Sequence, residues 1–377
     1  MSEPRHWRAG HRLLSAPVPP DFRLGHQPAL DGLRGLAIAL VIATNWELPW
    51  ATGAYIGVDL FFVLSGFLIT GLLLQELAEK GRIRLAYFYA RRALRLLPAL
   101  LLLLGVYAVY LLARSTPAVV SYRWPGILSV LFYVANWFMV LVPDGQEKLG
   151  PLAHTWSLAV EEQFYLSWPL LLAAWLVRRP STRSVLLMLG AAILACGLWR
   201  AHLQLAGRPP LRLYAGTDTR CDALLLGCLL AVALSARGGV VGPDKRYPRW
   251  LGWAALVPFM GIAMTVPWRS PGLYLGGATI VGLLALLLVL SAVKDDGAFG
   301  AMFRWAPLRW LGRVSYGVYL WQGPVAVAFA MKAGVKHPGE SPYWFFLTLA
   351  VTFAIAVPSY YLLELPIMRR GRKFKVA

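Results

Sequence analysis

The chain has 377 residues, of which 58% are hydrophobic and 15% charged, and its formal net charge at pH 7 is +19. Soluble domains carry about 25% charged residues, and several apolar stretches here reach the roughly 20 residues that cross a bilayer. This composition excludes an ordinary soluble domain and predicts an all-α integral membrane protein.

The chain divides into three parts by composition. Residues 1–28 are polar, basic and rich in proline, and we expect them to form a cytoplasmic N-terminal segment without a cleavable signal peptide, because the first apolar run is of full span length. Residues 29–367 are predicted to form one transmembrane domain. Residues 368–377 form a basic tail, which we interpret as a cytoplasmic anchor facing anionic lipid rather than a nucleic-acid arm.

Apolar runs predict about ten transmembrane helices in the central part. In chain order they are Leu30–Trp50, Gly53–Gln75, Ala93–Ala113, Trp156–Val177, Ser184–Leu203, Thr219–Ser235, Trp250–Pro267, Gly272–Ala292, Gly312–Met331 and Tyr343–Leu363. A further apolar stretch, Pro125–Val142, is short and ends in Val-Pro-Asp-Gly. We expect this stretch to be re-entrant or to lie on the membrane surface.

The distribution of basic residues sets the predicted orientation. With ten spans and a cytoplasmic N-terminus, 26 of the 37 Lys and Arg residues fall on the inner side, 10 on the outer side, and Arg34 within the first span. If Pro125–Val142 crossed the membrane, the later basic segments would face outward and this asymmetry would be lost. The positive-inside rule therefore favours a cytoplasmic-membrane protein with both termini in the cytoplasm.

The first predicted span contains three polar residues. Asp31 and Arg34 are three residues apart and share one helix face at the cytoplasmic mouth. They are either an interfacial ion pair or part of a site in which the guanidinium holds a phosphate or a thioester carbonyl. Asn45 lies about 16 Å further along the helix axis on nearly the same face. A lone Asn in a span is often only a helix–helix hydrogen bond.

The second span begins with the buried acid Asp59, and the cytoplasmic stretch that follows carries Arg91, Arg92 and Arg95 beside an aromatic pair. Part of this charge is an orientation signal. The same three arginines are also candidates to hold a nucleotide-like diphosphate.

The fourth predicted span carries the densest polar group. Glu161 and Glu162 point about 100° apart on a helix, so one can line a cavity while the other pairs elsewhere. His154 lies about two turns before Glu161, and a His and a carboxylate so placed can serve as base and orienting group for an acceptor hydroxyl. The alternative is a structural buried network. Arg220 and Asp222, at the start of a later span, suggest a further structural charge pair.

Several kinds of site are not indicated. The three cysteines have no metal-ligand spacing, so no metal is expected. The chain has neither a Gly-x-Ser-x-Gly elbow nor a Walker-type phosphate loop. His26 and Asp31 have the His-x4-Asp spacing of glycerolipid acyltransferases, which we interpret as chance because no soluble domain surrounds them.

Taken together, the motifs resemble the membrane acyltransferase family 3, whose members move acyl groups onto cell-surface sugars, peptidoglycan, lipopolysaccharide or macrolides. The resemblance runs from about residue 27 to 367. It is carried by Leu30-Asp-Gly-Leu-Arg34-Gly, Gly57-Val-Asp-Leu-Phe-Phe-Val-Leu-Ser-Gly-Phe-Leu-Ile-Thr70, Arg91-Arg92-Ala-Leu-Arg95-Leu-Leu-Pro98, Asn136-Trp137, His154-Thr-Trp-Ser-Leu-Ala-Val-Glu-Glu-Gln-Phe-Tyr165, Asp218-Thr-Arg-Cys-Asp-Ala-Leu-Leu-Leu-Gly227, Gly312-Arg-Val-Ser-Tyr-Gly-Val-Tyr-Leu-Trp321 and Leu363-Glu364-Leu-Pro366.

The resemblance implies an O-acyltransferase that takes an acyl group, most simply acetyl, from acyl-CoA and passes it to a hydroxyl of a carbohydrate-like or lipid-linked acceptor. No permanently bound cofactor is implied. Arg34 would hold donor phosphate or thioester, with Arg91, Arg92 and Arg95 as further phosphate contacts.

The chain departs from the family pattern at two positions. Asn45 stands where the family usually has the histidine thought to be the catalytic base, and Gln322 replaces another frequent histidine. An amide cannot accept a proton near neutral pH. Either His154, Glu161 or Glu162 replaces the base, or the protein is a non-catalytic acyl-CoA-binding relative. A membrane carrier or flippase-like transporter is the alternative from another class, although the inverted repeats expected of one are not evident.

Overall fold

The computed structural model describes residues 22–176, 180–237, 247–295 and 297–373, with side chains up to residue 370. Most of the predicted N-terminal segment, at residues 1–21, and the end of the basic tail, at residues 374–377, lie outside the described residues. The described residues contain no β-strand. The prediction of an all-α protein is confirmed.

The described chain forms sixteen α-helices joined by short 3₁₀ and π segments. They are α1 (Pro28–Asn45), α2 (Gly57–Lys80), α3 (Leu85–Arg114), α4 (Pro117–Leu131), α5 (Ala135–Leu141), α6 (Gly145–Leu149), α7 (Trp156–Leu176), α8 (Thr182–Leu205), α9 (Pro210–Ala215), α10 (Thr217–Ser235), α11 (Leu251–Thr265), α12 (Ala278–Lys294), α13 (Ala298–Phe303), α14 (Ala306–Ala333), α15 (Pro342–Pro358) and α16 (Leu365–Lys373).

Proline and glycine mark several helix ends. Pro28 opens α1, where its fixed backbone angle suits the first helical position and its missing N–H costs nothing. Gly81 ends α2 with φ at 67° and Gly334 ends α14 with φ at 68°. This left-handed conformation is nearly free for glycine and closes a helix by capping its last carbonyls.

Five helical stretches are long and apolar enough to cross a membrane. They are Ala54–Lys80, Leu85–Arg114, Thr182–Leu205, Leu273–Lys294 and Pro342–Arg370. Every one of the ten predicted spans is helical over most of its length. The number of spans nevertheless stays a prediction beyond these five, because the other helices are shorter or more polar. A multi-pass membrane protein follows from the five alone.

The stretch predicted as re-entrant folds as two short helices. α4 ends at Leu131, and α5 starts at Ala135 and has only seven residues. Between them Tyr133 has a φ of 53°, and Gln163 of α7 donates to its carbonyl at 2.8 Å. Neither helix reaches the length of a span, and the break is held against α7.

Two pairs of helices approach closely at glycines. A Cβ on Gly66 of α2 would lie 1.9 Å from the carbonyl oxygen of Leu224, and one on Gly227 of α10 would lie 2.1 Å from that of Val63. A Cβ on Gly312 of α14 would lie 1.7 Å from the carbonyl oxygen of Asp31. Small residues that let backbones touch are the usual means of packing helices in a membrane. They fix α10 against α2, and α14 against α1.

Buried ion pairs join α10 to two neighbouring helices. Arg220 of α10 pairs with Asp59 of α2 at 2.9 Å, and Arg200 of α8 pairs with Asp222 of α10 at 2.9 Å. All four side chains are almost completely buried. The expectation that Arg220 and Asp222 pair with each other is therefore wrong, because each reaches a partner on a neighbouring helix. Breaking one such pair would leave a buried charge uncompensated at a cost of about 3–5 kcal/mol.

Candidate active site

A cavity of about 520 Å³ lies between α1, α2, α3, α7 and α14. The chain before α1 forms its rim, where Leu24 N donates to Gln75 Oε1 at 3.1 Å. All four arginines proposed for the donor line it: Arg34, Arg91, Arg92 and Arg95. We call this space the arginine cavity. It brings together residues of α1 and residues of the N-terminal half of α3.

Arg34 is fixed by its helix and by Asp31. Its Nη1 lies 3.6 Å from Asp31 Oδ1, and the two side chains are 22% and 17% exposed. The close contact of α14 at Gly312 holds this turn of α1 in place. A half-buried guanidinium with one loose carboxylate partner retains free N–H donors, which can bind an anion or polarise a carbonyl.

The arginines of α3 are used in different ways. Arg92 contacts both oxygens of Glu162: Nη2 donates to Oε1 at 2.7 Å, and Nε lies 3.1 Å from Oε1 and 3.3 Å from Oε2. Its guanidinium carbon also lies 3.1 Å from the centre of the Tyr165 ring. Among the described residues, Arg91 and Arg95 have no carboxylate within 4.0 Å, so their charge is available to an anionic ligand.

The two neighbouring glutamates have separate environments. Glu161 lines the arginine cavity and accepts a hydrogen bond from Ser65 Oγ at 2.7 Å. Glu162 faces α3 and is occupied by Arg92. Their side chains diverge as adjacent helical residues must. Glu161 can therefore meet a ligand, whereas Glu162 acts on the cavity only by orienting Arg92.

Asn45 and His154 lie in a second, much smaller space of about 20 Å³, which we call the outer pocket. Asn45 is the last residue of α1, and His154 belongs to the 3₁₀ segment Gly150–Thr155 before α7. The other residues lining it are Val41, Thr44, Tyr55, Val58, Trp156, Tyr214 and Tyr319. The structure thus brings His154 into the same pocket as Asn45, the residue that stands where the family pattern has a histidine.

Two residues, Val58 and Tyr319, line both spaces. Tyr319 is held in place because its hydroxyl lies 2.7 Å from Ser157 Oγ and also donates to the carbonyl oxygen of His154. Its ring packs edge-on against the His154 imidazole, with 5.2 Å between centroids. The wall between the arginine cavity and the outer pocket is consequently one side chain thick.

The hydrogen bonds of His154 define its tautomer. Nδ1 lies 3.1 Å from the carbonyl oxygen of Pro151, which can only accept, so Nδ1 carries the proton. Nε2 is buried and has no hydrogen-bond partner in residues 22–176, 180–237, 247–295 and 297–370. Burial lowers the pKa of His154 to about 4, although the hydrogen bond to the Pro151 carbonyl and the nearby backbone of Leu320 and Tyr319 oppose the shift. The imidazole is therefore neutral, with a lone pair on Nε2.

His154 and Glu161 do not form the base-and-orienter pair considered from their spacing. Glu161 is bound to Ser65 in the arginine cavity, and the orienting partner of His154 is the Pro151 carbonyl. Sequence reasoning gave no role to Ser65, Ser157 or Tyr319. Tyr319 belongs to the segment Gly312–Trp321 that carried the resemblance, but nothing in that segment indicated a contact with His154.

Residues 27–361 match the sequence model of a family described as an acyltransferase domain. The chain belongs to this acyltransferase family. It is 35% identical over 353 residues to the peptidoglycan O-acetyltransferase OatA of Listeria monocytogenes, an alignment that covers 91% of this chain and 56% of the relative. It is 33% identical over 358 residues to the O-acetyltransferase OatA of Staphylococcus aureus, covering 92% and 58%.

The chain therefore spans little more than half the length of these acyltransferase relatives. No solved structure matches it. The resemblance seen in the sequence motifs is confirmed at the level of the family.

Proposed function

We propose that this protein is a membrane O-acyltransferase that moves an acetyl group from acyl-CoA to a hydroxyl of a carbohydrate acceptor. The observation that carries the proposal is the shared wall of Val58 and Tyr319, with arginines on one side and His154 on the other. A thioester held by the arginines would have its carbonyl next to an uncharged pocket that contains a base.

In the proposed reaction the donor lies in the arginine cavity. Arg91 and Arg95 contact the phosphate groups of CoA, and Arg34 binds donor phosphate or the thioester carbonyl. The acceptor hydroxyl enters the outer pocket, and the thioester carbonyl reaches it past the shared wall of Val58 and Tyr319. The hydroxyl attacks the carbonyl carbon, while its proton passes to His154 Nε2. The C–S bond breaks, an ester forms on the acceptor, and the CoA sulfur takes up the proton. Asn45, an amide, polarises the carbonyl without taking a proton.

The carbohydrate acceptor is supported by the relatives, whose names describe O-acetyltransferases, in one case of peptidoglycan. The direct test uses the full chain reconstituted in lipid nanodiscs with labelled acetyl-CoA and soluble peptidoglycan fragments. We expect label in an alkali-labile ester on the fragments. Loss of this product in His154→Ala, with acetyl-CoA binding retained, is the expected signature of the base.

Asn45 favours a second candidate, a relative that binds acyl-CoA without transferring the acyl group. On that view the outer pocket has lost its function together with the histidine. Saturable acetyl-CoA binding without any acetylated fragment, in wild type and in Asn45→His alike, would support this candidate and contradict the transferase. Label that moves across sealed vesicles without ester formation would instead indicate a carrier.

The proposed topology has ten spans, both termini in the cytoplasm, and the arginine cavity on the cytoplasmic side of the bacterial cytoplasmic membrane. The asymmetry of Lys and Arg supports it. A reporter fused after Ala236 should read as cytoplasmic, and a periplasmic signal from that fusion would exclude this orientation.

A further inference from the structure

The outer pocket has the size of a single hydroxyl group or water molecule. Its volume is about 20 Å³, and a cavity needs about 10–15 Å³ to hold one water together with two to four polar partners. Four aromatic side chains, those of Tyr55, Trp156, Tyr214 and Tyr319, form much of its wall.

Three buried polar atoms of residues that line the pocket have no hydrogen-bond partner among the described residues. They are Thr44 Oγ1, Tyr55 OH and His154 Nε2. Tyr55 is only 1% exposed, so the surrounding bulk solvent does not satisfy its hydroxyl. Buried polar groups are nearly always hydrogen-bonded, to protein or to ordered water. Three unpartnered atoms around one space of molecular size therefore point to a bound oxygen.

The polarity of the three atoms specifies what that oxygen belongs to. His154 Nε2 can only accept, because Nδ1 holds the proton that faces Pro151. The hydroxyls of Tyr55 and Thr44 can donate. The ligand must therefore offer one O–H to a nitrogen lone pair and accept hydrogen bonds in return, which describes an alcohol or water equally well.

We propose that water occupies the outer pocket when no acceptor is bound, and that the protein therefore also hydrolyses its acyl donor. The inference rests on the proposed function for the donor, acyl-CoA in the arginine cavity. The water oxygen attacks the thioester carbonyl carbon and its proton moves to His154 Nε2. The C–S bond then breaks and the proton on His154 passes to the CoA sulfur. Acetic acid leaves with one oxygen from water and ionises to acetate, releasing the second proton of the water.

Access for water comes from the outer end of α1. Asn45 lines the pocket and is exposed, so solvent reaches the pocket without crossing the arginine cavity. Within the described part of the chain, no Asp, Glu, Lys or Arg lines the pocket. The groups that select the nucleophile are consequently the base His154 and the hydroxyls of Tyr55 and Thr44. These groups do not distinguish water from an acceptor alcohol. Transfer is faster than hydrolysis only when a bound acceptor displaces the water from the pocket.

The test uses the full chain in nanodiscs with acetyl-CoA in H₂¹⁸O and no acceptor. CoA thiol and acetate are measured together, and mass spectrometry counts the ¹⁸O atoms in acetate. We expect acetate with one ¹⁸O, formed faster than in empty nanodiscs. His154→Ala should lower the rate about 10²–10⁴-fold, as removal of a general base does. Tyr55→Phe, which keeps the ring, should lower it several-fold with acetyl-CoA affinity unchanged.

His202→Ala is the matched control, because His202 stacks on Trp199 in α8, away from both spaces; its rate should equal that of wild type. Transfer to peptidoglycan fragments is assayed in parallel. Transfer without acceptor-free hydrolysis, or hydrolysis that survives both His154→Ala and Tyr55→Phe, overturns this inference and leaves the transferase intact. Hydrolysis without transfer supports the inference and contradicts the transferase. Absence of both reactions overturns both.

Discussion

Gly323 of α14 offers a way to displace His154 without changing it. A Cβ at Gly323 would lie 2.5 Å from His154 Nδ1, 2.8 Å from its Cε1 and 3.0 Å from the carbonyl oxygen of Pro151. Ordinary contacts of a Cβ begin at 3.4 Å. Gly323→Ala must therefore push the imidazole away by about 1 Å, and a misplacement of that size can cost about 10²-fold in rate. We expect acetyl transfer to fall by this factor.

Gly323→Ala should lower turnover without weakening the binding of acetyl-CoA. The arginine cavity does not include Gly323, so the Kd for acetyl-CoA should stay the same while turnover falls. Overpacking can also cost about 1–3 kcal/mol of stability, and thermal unfolding in nanodiscs checks that the variant is folded at the assay temperature. Gly317→Ala is the matched control. It lies on the same helix, but its Cβ would meet the Ala356 carbonyl at 3.2 Å rather than His154.

A double-mutant cycle separates displacement of the base from a general disturbance of α14. Once His154 is removed, the added methyl group of Gly323→Ala has no imidazole to displace. The two substitutions together should therefore be no worse than His154→Ala alone, a non-additivity typical of residues in contact. Near-normal turnover of folded Gly323→Ala, or fully additive losses, would refute the role assigned to His154.

Three further predictions concern the donor, the substituted position and pH. Arg34→Lys should raise the Kd for acetyl-CoA about tenfold or more, because it loses the planar fork of donors; calorimetry measures this, with Arg23→Lys, whose partner is Glu79, as control. Asn45→His should raise turnover, since it adds a second proton acceptor in the outer pocket; an unchanged rate would show that the position no longer matters. Turnover should stay flat from pH 7.5 to 5.5 and fall only as pH approaches the His154 pKa of about 4, whereas a histidine of ordinary pKa near 6.5 would lose about tenfold over that range.

The helices and the arginines that line the cavity were accessible from sequence because local patterns encode them. Apolar runs of span length predicted helices that the structure contains, and an arginine inside an apolar run is costly enough to mark a cavity. The divergence of Glu161 and Glu162 follows from helical geometry alone. The sequence pattern could not identify the partner of each charged side chain. Arg220, for example, pairs with Asp59 of α2 rather than with Asp222, which is nearby in sequence.

The outer pocket could not be predicted because its parts are distant in sequence and individually ordinary. In the sequence, Tyr319 is one of several aromatic residues in an apolar helix, and Val58 is an apolar residue with no reactive group. Their importance comes from the packing of α14 against α1 and against the segment before α7. That packing depends on glycine contacts whose register a periodic pattern leaves open.

On the proposed function, the position of His154 explains how a chain of this family can lack the histidine of α1. The reaction needs a base inside the outer pocket, and residues of several helices and segments line that pocket. The imidazole can therefore come from α1 or from the 3₁₀ segment before α7. Its proton-free nitrogen is assured by a backbone carbonyl, which no side-chain substitution removes. Asn45 then keeps a hydrogen-bonding group where the family histidine would be, without adding a positive charge to a pocket that has none. On this reasoning the role of base lies with His154 because position 45 is an asparagine. Activity should therefore depend more strongly on His154 in this protein than in relatives that retain the histidine of α1.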